Sequence, residues 1–141
     1  MNPYISFLME HWIAASGFVI ILLILVINEW RHRAFGVQGI TPQQLVEILN
    51  HANGVVLDVR AKEQFEKGSV LNAINIPYDD VKNQLNTLSK YKTKPVIVVC
   101  QKGLSAPKTA NLLKNEGFTQ VYYLEGGIEV WQSNGMPIFK K

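Results

Sequence analysis

Residues 18–27, FVIILLILVI, are apolar at every position, so a helix here would have no polar stripe to turn toward water. Beyond residue 37 the pattern changes. Short apolar runs alternate with segments whose apolar residues recur at helical spacing. Gly39-Ile40 reads as the end of a first strand, and Thr41-Pro42 as the N-cap and first residue of a helix carrying Leu45, Ile48 and Leu49. Val55–Leu57 is a buried-type strand running into Asp58-Val59-Arg60. A short helix over Ala61–Lys67 then turns Phe65 inward. Residues 73–77 form a third strand stopped by Pro77, and Val81, Leu85 and Leu88 mark a further helix. Pro95–Val99 is the fourth strand, Ser105–Gly117 a helix closed by glycine, and Val121–Leu124 the fifth strand. Gly126-Gly127 turns into a last helix through Val130 and Trp131. Strands alternating with helices predict an α/β domain: a single five-stranded, mainly parallel sheet flanked by helices on both faces.

The N-terminal pattern reads as one transmembrane helix. From Trp12 to Ile27 there is no charge, and a helix over residues 12–30 would be about 28 Å long, close to the thickness of the hydrocarbon layer. Trp12 and Trp30 suit the two interfaces. Arg31, His32 and Arg33 follow at once, whereas nothing basic but the N-terminal amine and His11 precedes the span. The positive-inside rule therefore puts the N-terminus outside and the C-terminal domain in the cytoplasm. A cleaved signal peptide fits less well, because MNPYISFLME is acidic and NEWRHR is a poor cleavage site. A buried core helix would keep a polar stripe. The small residues Ala14, Ala15, Ser16 and Gly17 are a weak signal for helix packing within the membrane. The chain thus divides into an anchor at 1–30, a linker at 31–37 and a domain at 38–139.

Composition narrows the remaining classes. All 14 Lys and Arg residues lie from Arg31 onward, and the net charge is only +3 with no dense basic run, so nucleic acid is not an expected partner. The single cysteine excludes an intrachain disulfide and a multi-cysteine metal site. His11, His32 and His51 have no ligand spacing, so no metal and no cofactor are expected.

Cys100 is the candidate reactive group. It ends the apolar run Val96–Val99, five small or polar residues follow, and then a helix begins. In a parallel sheet, ligands bind where strand C-termini meet the following loops. A loop entering a helix also presents successive N–H groups to an anion, and a helix N-terminus favours thiolate over thiol. Gly103 permits the curl such a loop needs. Against this stands the ordinary role of a free cysteine as a small buried hydrophobe. Asp58 and Arg60 read as a structural ion pair at a second strand end. Lys102 reads either as solvated loop charge or as pocket charge, and Trp131 as core.

Four segments in order, LDVR (57–60), EQFEKGSVLNAINIP (63–77), VIVVCQKGLSA (96–106) and GFTQVYYLEGGIEVWQSNGMP (117–137), resemble a rhodanese domain. With the anchor, the arrangement is similar to bacterial proteins that tether one such domain to the inner membrane. The resemblance implies a sulfurtransferase. Its catalytic residue would be Cys100, and the loop Gln101, Lys102, Gly103, Leu104 and Ser105, together with Arg60, would bind substrate. The thiolate would take a sulfane sulfur from a small donor such as thiosulfate or a persulfide. As a persulfide it would then pass the sulfur to cyanide, a thiol or another thiophilic acceptor. A non-catalytic binding module that recruits membrane proteins is the alternative.

The sequence departs from the family pattern at three places. Ser105 stands where the loop often ends in arginine, Ser69 where a histidine is common, and Asn72 where glycine is frequent. Lys102, Lys108 and Arg60 are the cations available to compensate for the first. Asparagine tolerates left-handed backbone, so the third is benign. Cysteine phosphatases of similar shape need a longer loop and that arginine, which excludes them.

Overall fold

The computed structural model describes residues 2–140. They form two units, Met1–Gly36 and Val37–Lys141. In the first, α1 (Pro3–Glu10) and α2 (Trp12–Phe35) are separated by a break at His11. Proline at the first helical position starts α1 where its missing N–H costs nothing. Residues 12–30 satisfy the length and hydropathy of a membrane span, and none of that window is buried. The helix runs on to Phe35, so residues 31–35, read as linker from the sequence, are helical. The side chains of Arg31, His32 and Arg33, on which the expected orientation rests, lie outside the described residues.

The second unit is a five-stranded parallel sheet of β1 (Gln38–Ile40), β2 (Val55–Asp58), β3 (Ile74–Asn75), β4 (Pro95–Val99) and β5 (Gln120–Leu124), in the order β1-β5-β4-β2-β3. Helices α3 (Pro42–His51), α4 (Lys62–Lys67), α5 (Leu85–Leu88), α6 (Ala106–Asn115) and α7 (Gly127–Ser133) connect and cover the strands. The expected α/β architecture is present. Two elements differ: the third strand, read over residues 73–77, is only Ile74–Asn75, and the segment read as a single helix around Val81, Leu85 and Leu88 is a 3-10 turn over Tyr78–Gln84, the single turn α5, and a second 3-10 turn over Ser89–Tyr91. Asp79, Asp80, Asn83, Asn86 and Ser89 crowd this stretch, and such side chains compete with helical backbone bonds.

Alternation along the strands divides the core into two layers. Val96 and Val98 of β4 face α5 and α6 with Leu88, Ala106, Ala110 and Leu113. Ile97 and Val99 face α3, α4 and α7 with Leu45, Phe65, Ile128 and Trp131. All four of these β4 residues are buried, as a central strand covered on both faces requires. Thr41 caps α3 as expected. Its hydroxyl accepts from Gln44 N, while its own N–H donates to Gln44 Oε1 at 2.9 Å.

Candidate active site

The period of two that places Val96 and Val98 on the α6 face places Cys100 there as well, two residues on, at the C-terminal edge of β4. Its side chain is buried, at 3% exposure. Residues 100–105 then curl into α6, and the N–H of Gly103 donates to Cys100 Sγ at 3.0 Å. That curl needs Gly103 in the left-handed region, at φ +82°. Ser105 occupies the N-cap of α6 without a side-chain capping bond. The loop therefore brings a backbone donor to the sulfur and leads directly from Cys100 into the start of α6.

The other expected site residues fall into two groups. Gln101 and Ser105 are half-buried, and Lys102 and Leu104 are exposed, Leu104 at 77%. Lys108, on the first turn of α6, lines an outer cleft with Tyr78, Lys82 and Thr109. Arg60 is buried and bound on three sides. Its guanidinium pairs with Asp58 at 2.8 Å, donates to the Gly68 carbonyl at 2.7 Å, and reaches Gln101 Oε1 at 3.3 Å. Arg60 thus ties the end of β2 to the loop, and its charge is matched by Asp58.

Sequence reading did not anticipate the residues that complete this corner. Ser69 donates its hydroxyl to Asp58 Oδ2 at 2.9 Å and pairs through its backbone with Phe139. Asn75 Nδ2 donates to the carbonyls of Asp58 and Arg60. Below the loop, the N–H groups of Ile128 and Glu129 donate to the carbonyls of Cys100 and Gln101 at 2.9 and 3.2 Å. The Gly126-Gly127 pair was the sequence signal for that last feature, since two glycines before a helix permit close backbone approach. Asn72 adopts φ +58°, the left-handed geometry that makes it a fair substitute for glycine.

The rhodanese-like domain family matches residues 41–134, more than half of the chain. The chain belongs to the rhodanese-like domain family. The uncharacterized protein YibN of Escherichia coli (strain K12) is 29% identical over 141 residues, spanning 99% of each chain. The thiosulfate sulfurtransferase GlpE of Actinobacillus pleuropneumoniae serotype 3 (strain JL03) is 29% identical over 99 residues, covering 70% of this chain and 90% of GlpE. A rhodanese-related protein from Thermoplasma volcanium superposes with a TM-score of 0.67 at 28% identity, covering 74% of this chain and 99% of that one. The family includes sulfurtransferases, and the rhodanese domain here carries its lone cysteine, free and buried, at the sheet edge described above.

Proposed function

We propose that this protein is a sulfurtransferase that carries sulfane sulfur on Cys100. The observation that carries the reading is the Gly103 N–H donated to Cys100 Sγ at 3.0 Å, because a backbone donor already aimed at the sulfur can meet the negative charge that moves over the sulfur atoms during transfer. In the first half-reaction the Cys100 thiolate attacks the outer sulfur of a donor. With thiosulfate, one S–S bond forms, another breaks, and sulfite leaves with the electron pair, leaving the persulfide anion on the protein. In the second, an acceptor nucleophile such as cyanide or a thiolate attacks the outer sulfur. Thiocyanate or a new persulfide leaves, and the Cys100 thiolate returns. Gln101, Lys102, Gly103, Leu104 and Ser105 form the rim that receives donor and acceptor. Arg60 holds Gln101 in place, and Lys102, exposed two residues after Cys100, supplies positive charge along the loop.

In the same reading residues 1–30 anchor the protein in the bacterial inner membrane and residues 38–139 form the catalytic domain on the cytoplasmic side. Support for the anchor is the fully apolar stretch within residues 12–30.

The test is a thiosulfate:cyanide assay on the full chain in detergent, with several other sulfane donors, beside Cys100→Ala. Turnover in the wild type and background in the variant are expected. Equal rates with every donor would remove the enzymatic reading. A second reading, a binding module without turnover, draws on Leu104, an apolar side chain 77% exposed at the loop rim. It would be favoured if membrane-protein partners stay bound to Cys100→Ala and no donor gives turnover.

A further inference from the structure

We infer that Gly127 and the first turn of α7 are positioning elements for Cys100, holding the backbone of the reactive loop in the one arrangement that aims a donor at the sulfur. The inference rests on the reading of Cys100 as a reactive thiol, and it assigns a chemical role to a glycine pair that otherwise reads as a plain turn.

Two hydrogen bonds set the geometry. Ile128 N–H donates to the Cys100 carbonyl at 2.9 Å and Glu129 N–H to the Gln101 carbonyl at 3.2 Å. In a trans peptide the C=O and the following N–H point in opposite directions. Drawing these two carbonyls toward α7 therefore turns the N–H groups of Gln101 and Lys102 away from it. The next N–H, that of Gly103, is the one that reaches Sγ.

Steric fit makes the arrangement specific. A Cβ on Gly127 would collide with the Cys100 carbonyl oxygen and would lie 2.7 Å from both the carbonyl carbon and oxygen of Gln101. A Cβ on Gly103 would lie 2.8 Å from Gly126 N. In each case the obstacle is backbone, so no side chain can swing aside to make room. The two glycine-containing segments pack main chain on main chain, with Gly103 at φ +82°, Gly126 at +73° and Gly127 at +62°. Any group added at 127 must push the loop itself.

Backbone strain and loop displacement can be separated, because Gly135 provides a matched control. It has φ +72°, with nothing within 4 Å of the position its Cβ would take. Gly135→Ala therefore adds left-handed strain without touching the loop, whereas Gly127→Ala adds both. Glu129→Pro is a milder probe. Residue 129 is exposed and in the first turn of α7, where proline is tolerated, and the change deletes the N–H donated to the Gln101 carbonyl.

The experiment measures the rate of Cys100 alkylation by iodoacetamide at one fixed neutral pH on the full chain in detergent, with thermal unfolding alongside. As the chain has one cysteine, all thiol label reports on it. Gly127→Ala is expected to change the rate severalfold, because the loop that holds the Gly103 N–H against the sulfur is displaced. Glu129→Pro should change it in the same direction by less, and Gly135→Ala should leave it at the wild-type value while lowering the unfolding temperature. If Gly127→Ala does not fold, Glu129→Pro decides. A rate unchanged in Glu129→Pro, or equal in the two glycine variants, overturns the inference. Because alkylation needs no sulfur donor, an inactive wild type with these changed rates would remove the sulfurtransferase reading and leave the positioning role standing.

Discussion

Arg60 Nη1 reaches Gln101 Oε1 at 3.3 Å while the other edge of the same guanidinium closes on Asp58 at 2.8 Å. One buried cation thus joins the end of β2 to the loop that follows β4, and it does so without unmatched charge. Removing its side chain leaves a carboxylate whose residue is 0% exposed with no cation, and with only the Ser69 hydroxyl and the residue-60 N–H as donors. Arg60→Met should therefore lower stability by about 3–5 kcal/mol. The paired change Asp58→Asn with Arg60→Met should recover part of that loss. Denaturant unfolding of the full chain in detergent, followed by circular dichroism, measures both.

Ser105 leaves the N-cap of α6 without a side-chain bond, at the place where the family's loop often carries arginine. Serine has no charge to meet the oxyanion of a donor. Ser105→Arg should raise kcat/KM for thiosulfate about tenfold, the effect of one charge-assisted hydrogen bond of about 1.5 kcal/mol. The rate with an uncharged sulfane donor, a dialkyl trisulfide, should change much less. Steady-state kinetics with the two donors side by side check this. An equal gain with both would mean that the arginine acts on the loop rather than on the donor.

Asn72 is exposed and sits at φ +58°, so its side chain matters less than its tolerance of that backbone. Asn72→Gly should change stability by less than about 0.5 kcal/mol, whereas Asn72→Ala should cost about 1 kcal/mol. Thermal unfolding of the two variants against wild type gives the comparison.

If residues 12–30 span the membrane, the full chain should stay in the membrane pellet after alkaline carbonate extraction. Replacing Leu22 and Ile24 by Arg should release it, since each charge at mid-bilayer costs about 2.5–3.5 kcal/mol. A C-terminal tag should be cleaved by protease in inverted inner-membrane vesicles and protected in intact spheroplasts. Cleavage in spheroplasts would reverse the proposed orientation.

Features written in local sequence were the legible ones. The Thr41-Pro42 start of α3, the buried run of β4 and the glycine after α6 each follow from neighbouring residues, and each is where the pattern put it. Cys100 was legible as a strand end. The 3-10 turns from Tyr78 to Tyr91 were missed because an apolar residue every three or four positions fits both geometries, and local polar side chains decide between them. What local pattern hides is partnership across the chain. Ser69 read only as a missing histidine, yet its hydroxyl completes the Asp58 carboxylate. Gly126-Gly127 read only as a turn, because its contact with the Cys100 carbonyl is made by residues far along the chain. Arg60 and Asp58 lie two residues apart, so their pairing was legible, but the reach of Arg60 to Gln101 was not.

The central claim is that Cys100 carries sulfur, and intact-protein mass spectrometry tests it most directly. The full chain, incubated with thiosulfate and freed of excess donor, should gain the mass of one sulfur atom, located on Cys100 by peptide mapping. Cyanide or a reducing thiol should remove it, and Cys100→Ala should never show it. A wild-type protein that keeps its unmodified mass with thiosulfate and with other sulfane donors would contradict the account.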